Sequence, residues 1–196
     1  MSDKKSYQLS DELVDLLENE FQIKPLVDEY KDAVKGLGQG SREELDKKVF
    51  GAFGRGLADR ICAIESNYRD ASADLIYKIA EQTGHPFPSI QQRLIEISLL
   101  ATMNANRTRF HEVSFKRLSY EVSKCVVYET LQQNIDKETA DQVPCRYLCL
   151  SLNNGICENT AVAEMVTVNM PTKISDENGC CIFSTELKLE EQLKLS

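Results

Sequence analysis

Phe110-His111-Glu112-Val113-Ser114-Phe115-Lys116-Arg117-Leu118-Ser119-Tyr120-Glu121-Val122-Ser123-Lys124-Cys125 is where the chain changes its period. Over 110–115 and 118–122, β-branched and aromatic side chains alternate in part with polar ones, as half-buried strands require. The second run ends at Cys125, and 125–133 reads as a helix. Upstream, the apolar spacing is helical throughout. Leu13, Leu16, Leu17 and Phe21 form one stripe, and 26–37 forms a second segment that stops at Gly36, Gly38 and Gly40. Ser41 followed by Glu44 makes a capping box, after which Leu45, Val49, Phe53, Leu57 and Ile61 recur every fourth residue. A further helix is predicted over 72–82, closed by Gly84, Pro86 and Pro88. Ser89 and Gln92 cap another that carries Ile90, Leu94, Ile97, Leu100 and Ala101 and runs to about residue 104.

Downstream of Cys125, 139–153 again looks helical. Ala163, Met165, Thr167 and Asn169 then alternate with Glu164, Val166, Val168 and Met170, the clearest strand signal in the chain. Asp176, Glu177, Asn178 and Gly179 are turn formers, and Cys181, Phe183 and Thr185 begin another strand. Helices followed by strands imply an α+β fold, with N-terminal helices packed with a small, mainly antiparallel C-terminal sheet. A chain of 196 residues suits a single domain, 1–196, with a helical half (1–108) and a cysteine-rich α+β half (109–196) that carries the site.

Composition narrows the function. A net charge of −8 disfavours nucleic acid and anionic membrane surfaces, since phosphate binding needs clustered Lys and Arg. No run approaches the roughly 18 apolar residues of a membrane span. Met1-Ser2-Asp3-Lys4-Lys5-Ser6-Tyr7 has no apolar segment, so no signal peptide is expected and the expected location is cytoplasmic. The expected partner is a small-molecule ligand, with a homodimer left open as the assembly. Gly51-Ala52-Phe53-Gly54-Arg55-Gly56 resembles a phosphate loop only superficially. It lacks the Lys-Ser or Lys-Thr of a nucleotide cradle and falls inside a helical stripe, where small residues let two helices approach closely.

Six of the seven cysteines lie between Cys125 and Cys181. An odd count in a reducing compartment points to metal or catalysis more than to disulfides. Cys145 and Cys149 share a helix face one turn apart, a spacing that a metal could bridge. Cys125, Cys145, Cys149 and Cys181 are the candidate ligand set, for zinc or an iron–sulfur cluster. Adjacent Cys180 and Cys181 should point to opposite faces of a strand. The alternative is that several of these thiols are small buried hydrophobes. His85 falls in an expected loop, whereas His111 opens a strand and is a candidate general base.

The order of these residues is more telling than their number. A strand runs through Tyr120-Glu121-Val122-Ser123-Lys124 into Cys125, Cys145 follows, and Gly179-Cys180-Cys181-Ile182-Phe183 closes the pattern. This succession resembles the L-2-amino-thiazoline-4-carboxylic acid hydrolase-like family and, more loosely, vinyl-reductase-type small-molecule-binding domains, over about 118–187. The resemblance implies a cysteine-dependent hydrolase acting on C–N bonds, or a small-molecule-binding relative of one. Cys125 would be the nucleophile, activated at a helix N-terminus, with His111 or Glu121 assisting proton transfer. Cys145 and Phe183 would lie on the substrate side. The non-catalytic alternative is a metal-binding or redox-sensing module using the same thiols. Where the family carries an aspartate after its second cysteine, this chain has Leu148. A leucine cannot hold a substrate ammonium, whose unpaired burial costs on the order of 3 kcal/mol or more. Efficient turnover of the thiazoline amino acid is therefore not expected, and a less cationic ligand or a metal is.

Overall fold

The computed structural model describes residues 21–67, 71–83, 106–114, 116–160 and 162–188. The helices expected over 13–21 and 89–104 lie outside these residues, apart from Phe21. Helix α1 (Ile23–Lys35) ends at its Gly36 cap. Its Leu26, Val27 and Tyr30 are buried at the spacing of one helical face. Ser41 then caps α2 (Arg42–Asp46), its hydroxyl accepting a hydrogen bond from the Glu44 amide at 3.3 Å. That is one half of the expected capping box.

From α2 the chain runs through a π-helical turn (Lys47–Gly51) into α3 (Ala52–Asn67). The wider turn has a reason in the sequence. Apolar residues at every fourth position drift around an α-helix of 3.6 residues per turn, and a π turn absorbs the surplus residue. As a result Phe50, Ala58, Ile61 and Ile64 are buried, while Leu45, Phe53 and Leu57 pack on the core at its margin. Helix α4 (Ala71–Thr83) follows.

The C-terminal half supplies an antiparallel sheet. Its strands are β1 (Arg107–Val113), β2 (Arg117–Lys124), β3 (Val166–Thr172) and β4 (Cys181–Leu187), in the order β1-β2-β4-β3. The β2–β4 register pairs Tyr120 with Phe183 and Val122 with Cys181, so these four share the inner face. A bulge between Phe110 and Glu112 interrupts the β1–β2 ladder at His111. Between β2 and β3 lie α5 (Val126–Asn134), α6 (Lys137–Asp141) and α7 (Arg146–Asn159). The architecture is α+β, as the change of period implies. Among the described residues no helix is long and apolar enough to cross a membrane.

One expected helix is divided. The sequence suggests a continuous helix over 139–153, but the backbone breaks at Val143, whose φ is +52°. Pro144 is the cause, because a residue before proline is disfavoured in the helical region. A buried valine in the left-handed region is strained, at a cost on the order of 1–3 kcal/mol. The break makes Cys145 the N-cap of α7 rather than an interior helical residue, and α7 runs on to Asn159.

The glycine run behaves as a helix contact. A Cβ at Gly54 would stand 2.0 Å from the Leu148 carbonyl oxygen, and one at Gly155 would stand 2.6 Å from the Ala58 Cβ. Helices α3 and α7 therefore cross at backbone distance, and this crossing seats α7 against the sheet.

Candidate functional site

Strand β2 ends at Lys124 and Cys125 becomes the N-cap of α5, in extended conformation. Cys145 is the N-cap of α7, Cys149 follows one turn later, and Cys181 opens β4. All four thiols line one cavity between the inner face of the sheet and the first turns of α5 and α7. Val122, Val127, Val143, Leu148, Ile174 and Phe183 complete its apolar wall, together with Tyr128 and Arg146. The free space is about 20 Å³, room for one water-sized sphere. The Tyr128 hydroxyl is spent on Asp141, to which it donates at 2.9 Å. The Ile174 amide donates to Cys181 Sγ at 3.2 Å.

Burial dominates the electrostatics of these thiols. It raises Cys125 above the ordinary thiol range and outweighs the amides of Tyr128 and Val127, which favour the thiolate. Asn106 Oδ1 accepts from the Val126 amide, at the first position of α5, at 3.0 Å. The helix terminus therefore does not produce the lowered thiol pKa expected from position alone: desolvation of a sulfur anion exceeds what a helix end returns. Burial also carries Cys145 and Cys149 well above the ordinary range and Cys181 up to about 12. In each case the neighbouring Cys125 adds to the effect of burial.

The proposed proton-transfer residues lie elsewhere. His111 Nε2 and Glu121 Oε2 meet at 2.9 Å, on side chains 39% and 22% exposed. Glu121 alternates with Tyr120 and Val122, which face inward, so this pair occupies the opposite face of the sheet from the cavity. Cys180 lies near Glu121, whose charge adds to burial in raising its thiol. Among the described residues no histidine or carboxylate lines the cavity. Phe183 and Cys145 both line the wall, and so does Leu148, buried to 3%. Among the described residues no group of three or more His, Cys, Asp or Glu is gathered closely enough to hold a metal ion. The four-thiolate site for zinc or an iron–sulfur cluster is therefore not formed in this arrangement.

Two features had no expectation from the sequence. Asn153, buried on α7, donates to the Tyr120 hydroxyl at 2.9 Å and to the Cys149 carbonyl at 2.8 Å, tying the helix to the sheet beneath the thiols. Along the α6–α7 connection, a polar cleft of about 390 Å³ is lined by Tyr30, Arg42, Asp46, Asp136 and Pro144, among others. Comparison with family models, with curated proteins and with solved structures finds no match to the chain.

Proposed function

We propose that this protein is a non-catalytic thiol module that binds a thiophilic ligand or responds to oxidation through Cys125, Cys145, Cys149 and Cys181. The observation that carries this reading is the cavity itself: sulfur donors from two helix N-caps, one further helical turn and a strand end enclose a space for a single small sphere. Sites for drug-sized ligands run to about 300 Å³ and more. The hydrolase-like reading, with small-molecule binding beside it, is less well supported. It needs an ionisable nucleophile, a base within reach and room for a ring. Here burial favours the neutral thiol, the His111–Glu121 pair lies across the sheet, and Leu148 stands where a carboxylate would hold an ammonium.

The test is made on anaerobically purified full chain. Metal content, free-thiol count and peptide mapping are followed before and after treatment with diamide, alongside a hydrolysis assay on L-2-amino-thiazoline-4-carboxylate. The expected result is no turnover, with the cavity thiols occupied by metal, or oxidised together once the pH is high enough to ionise them. Turnover that disappears in Cys125→Ser would overturn the reading. So would cavity thiols that hold no metal and remain reduced in diamide.

A further inference from the structure

We propose that the polar cleft between α1, α2 and α6 binds a free basic amino acid, its carboxylate at Arg42, its α-ammonium at Asp46 and its side-chain cation at Asp136 and Glu138. The cleft is separate from the thiol cavity, and the inference does not rest on the reading of that cavity. Its free space of about 390 Å³ falls in the range of small-molecule sites, which begins at about 300 Å³. Depth orders its polar groups. Tyr30 is fully buried and Asp46 is 6% exposed, Arg42 is half-buried, and Asp136 and Glu138 stand exposed at the mouth.

These groups are left with bonding capacity that faces the cleft. The Arg42 guanidinium reaches the Tyr30 hydroxyl at 3.4 Å and forms no ion pair among the described residues. Its charge acts on Asp46 and on Asp136 from beyond contact, favouring both carboxylates. An unpaired planar fork of this kind matches a carboxylate bidentately. Asp46 accepts from the Tyr30 hydroxyl through Oδ1 at 2.6 Å, and its Oδ2 has no donor among the described residues. Asp136 accepts from the Thr139 amide through Oδ1 at 2.8 Å, which leaves its Oδ2 for a ligand.

The wall thus carries one formal positive charge, on Arg42, and three carboxyl groups. A simple anion would meet the carboxyls, and a simple amine would meet Arg42. A basic amino acid brings one carboxylate and two cations, the complement of that set. Burial opposes an isolated charge on Asp46, and a bound ammonium offsets that cost.

L-Lysine and L-arginine are the probes, titrated calorimetrically into the full chain. Beside lysine run three analogues that each lack one group: cadaverine without the carboxylate, ε-aminocaproate without the α-ammonium, and L-norleucine without the side-chain ammonium. The expected result is one amino acid bound per chain, with each analogue weaker by about tenfold or more, the loss of one charge-assisted hydrogen bond. Arg42→Gln should weaken lysine by a similar factor and erase its advantage over cadaverine. Glu138→Gln, at the exposed mouth, is the substitution least able to disturb the fold and should narrow the advantage over norleucine. Circular dichroism of each variant guards against loss of fold. Absence of binding by both probes at millimolar concentration overturns the proposal. So does cadaverine or norleucine that binds as tightly as lysine, and so does lysine binding that Arg42→Gln leaves unchanged.

Discussion

Two buried tyrosines anchor the two halves of the molecule, and they do so with different chemistry. Tyr30 on α1 donates its hydroxyl to Asp46 at 2.6 Å, with Arg42 within 3.4 Å of the same oxygen. Tyr120 on β2 accepts from the neutral Asn153 and stacks on Phe183, with ring centroids 5.3 Å apart. Burial raises both phenols above their ordinary value, but only the first has a carboxylate partner. The Tyr30 network borders a cleft of about 390 Å³, whereas Tyr120 lies in the same core as a cavity of about 20 Å³ walled by thiols. The carboxylate partner is kept beside the Arg42 guanidinium and the polar cleft. On the thiol side, where Arg146 turns its guanidinium onto Tyr147, polar groups are neutral and thiols hold their protons.

The largest effect should come from the helix crossing that shapes the thiol side. Gly54→Ala places a methyl 2.0 Å from the Leu148 carbonyl, so α7 must move away and the cavity wall moves with it. A urea melt should record a loss of about 3 kcal/mol or more, at the upper end of overpacking costs. A variant as stable as the parent would mean that the helices do not cross at this distance. Next comes the neutral lock. Asn153→Leu strips the Tyr120 hydroxyl of its donor, and a loss of about 1–3 kcal/mol is expected in the same assay.

Thiol reactivity sharpens the contrast without changing stability. Maleimide labelling followed by peptide mapping should find Cys145 and Cys149 slow near neutral pH, because burial leaves little thiolate. Their rates should climb about tenfold per pH unit well past the ordinary thiol value. Fast labelling of Cys145 at neutral pH would contradict the burial argument. The smallest effect belongs to Asp46. Burial outweighs the hydrogen bond from Tyr30 and raises this carboxyl above its ordinary 3.8. A carboxyl that holds its proton more tightly when folded contributes stability below the unfolded value and loses it as pH rises through the folded one. Asp46→Asn keeps an acceptor for Tyr30 and removes that titration. Thermal melts should therefore show a flatter pH dependence in the variant from about pH 4 upward.

Much of this was legible in the chain. The alternation through Leu118, Tyr120 and Val122 placed three side chains inward, and Cys125 as the start of a helix followed from the loss of alternation there. The glycines at 51 and 54 read correctly as a helix contact because a phosphate loop needs residues that are absent. Pro144 was the signal that should have broken the helix at Val143, since its effect on the preceding residue is local and steric. By contrast, nothing local indicated that Asn153 would meet Tyr120, 33 positions away in sequence.

What the sequence determined by itself is what depends on neighbours within a few residues: helix and strand periods, caps, turns, the α+β order and the grouping of cysteines late in the chain. Which thiols share a cavity, how large that cavity is and which side of the sheet His111 and Glu121 occupy were decided by the packing of α7 against α3 and the sheet. So was the balance at Cys125. A helix terminus can be read from sequence, but the water removed from the sulfur depends on elements distant in the chain, and here that term is the larger.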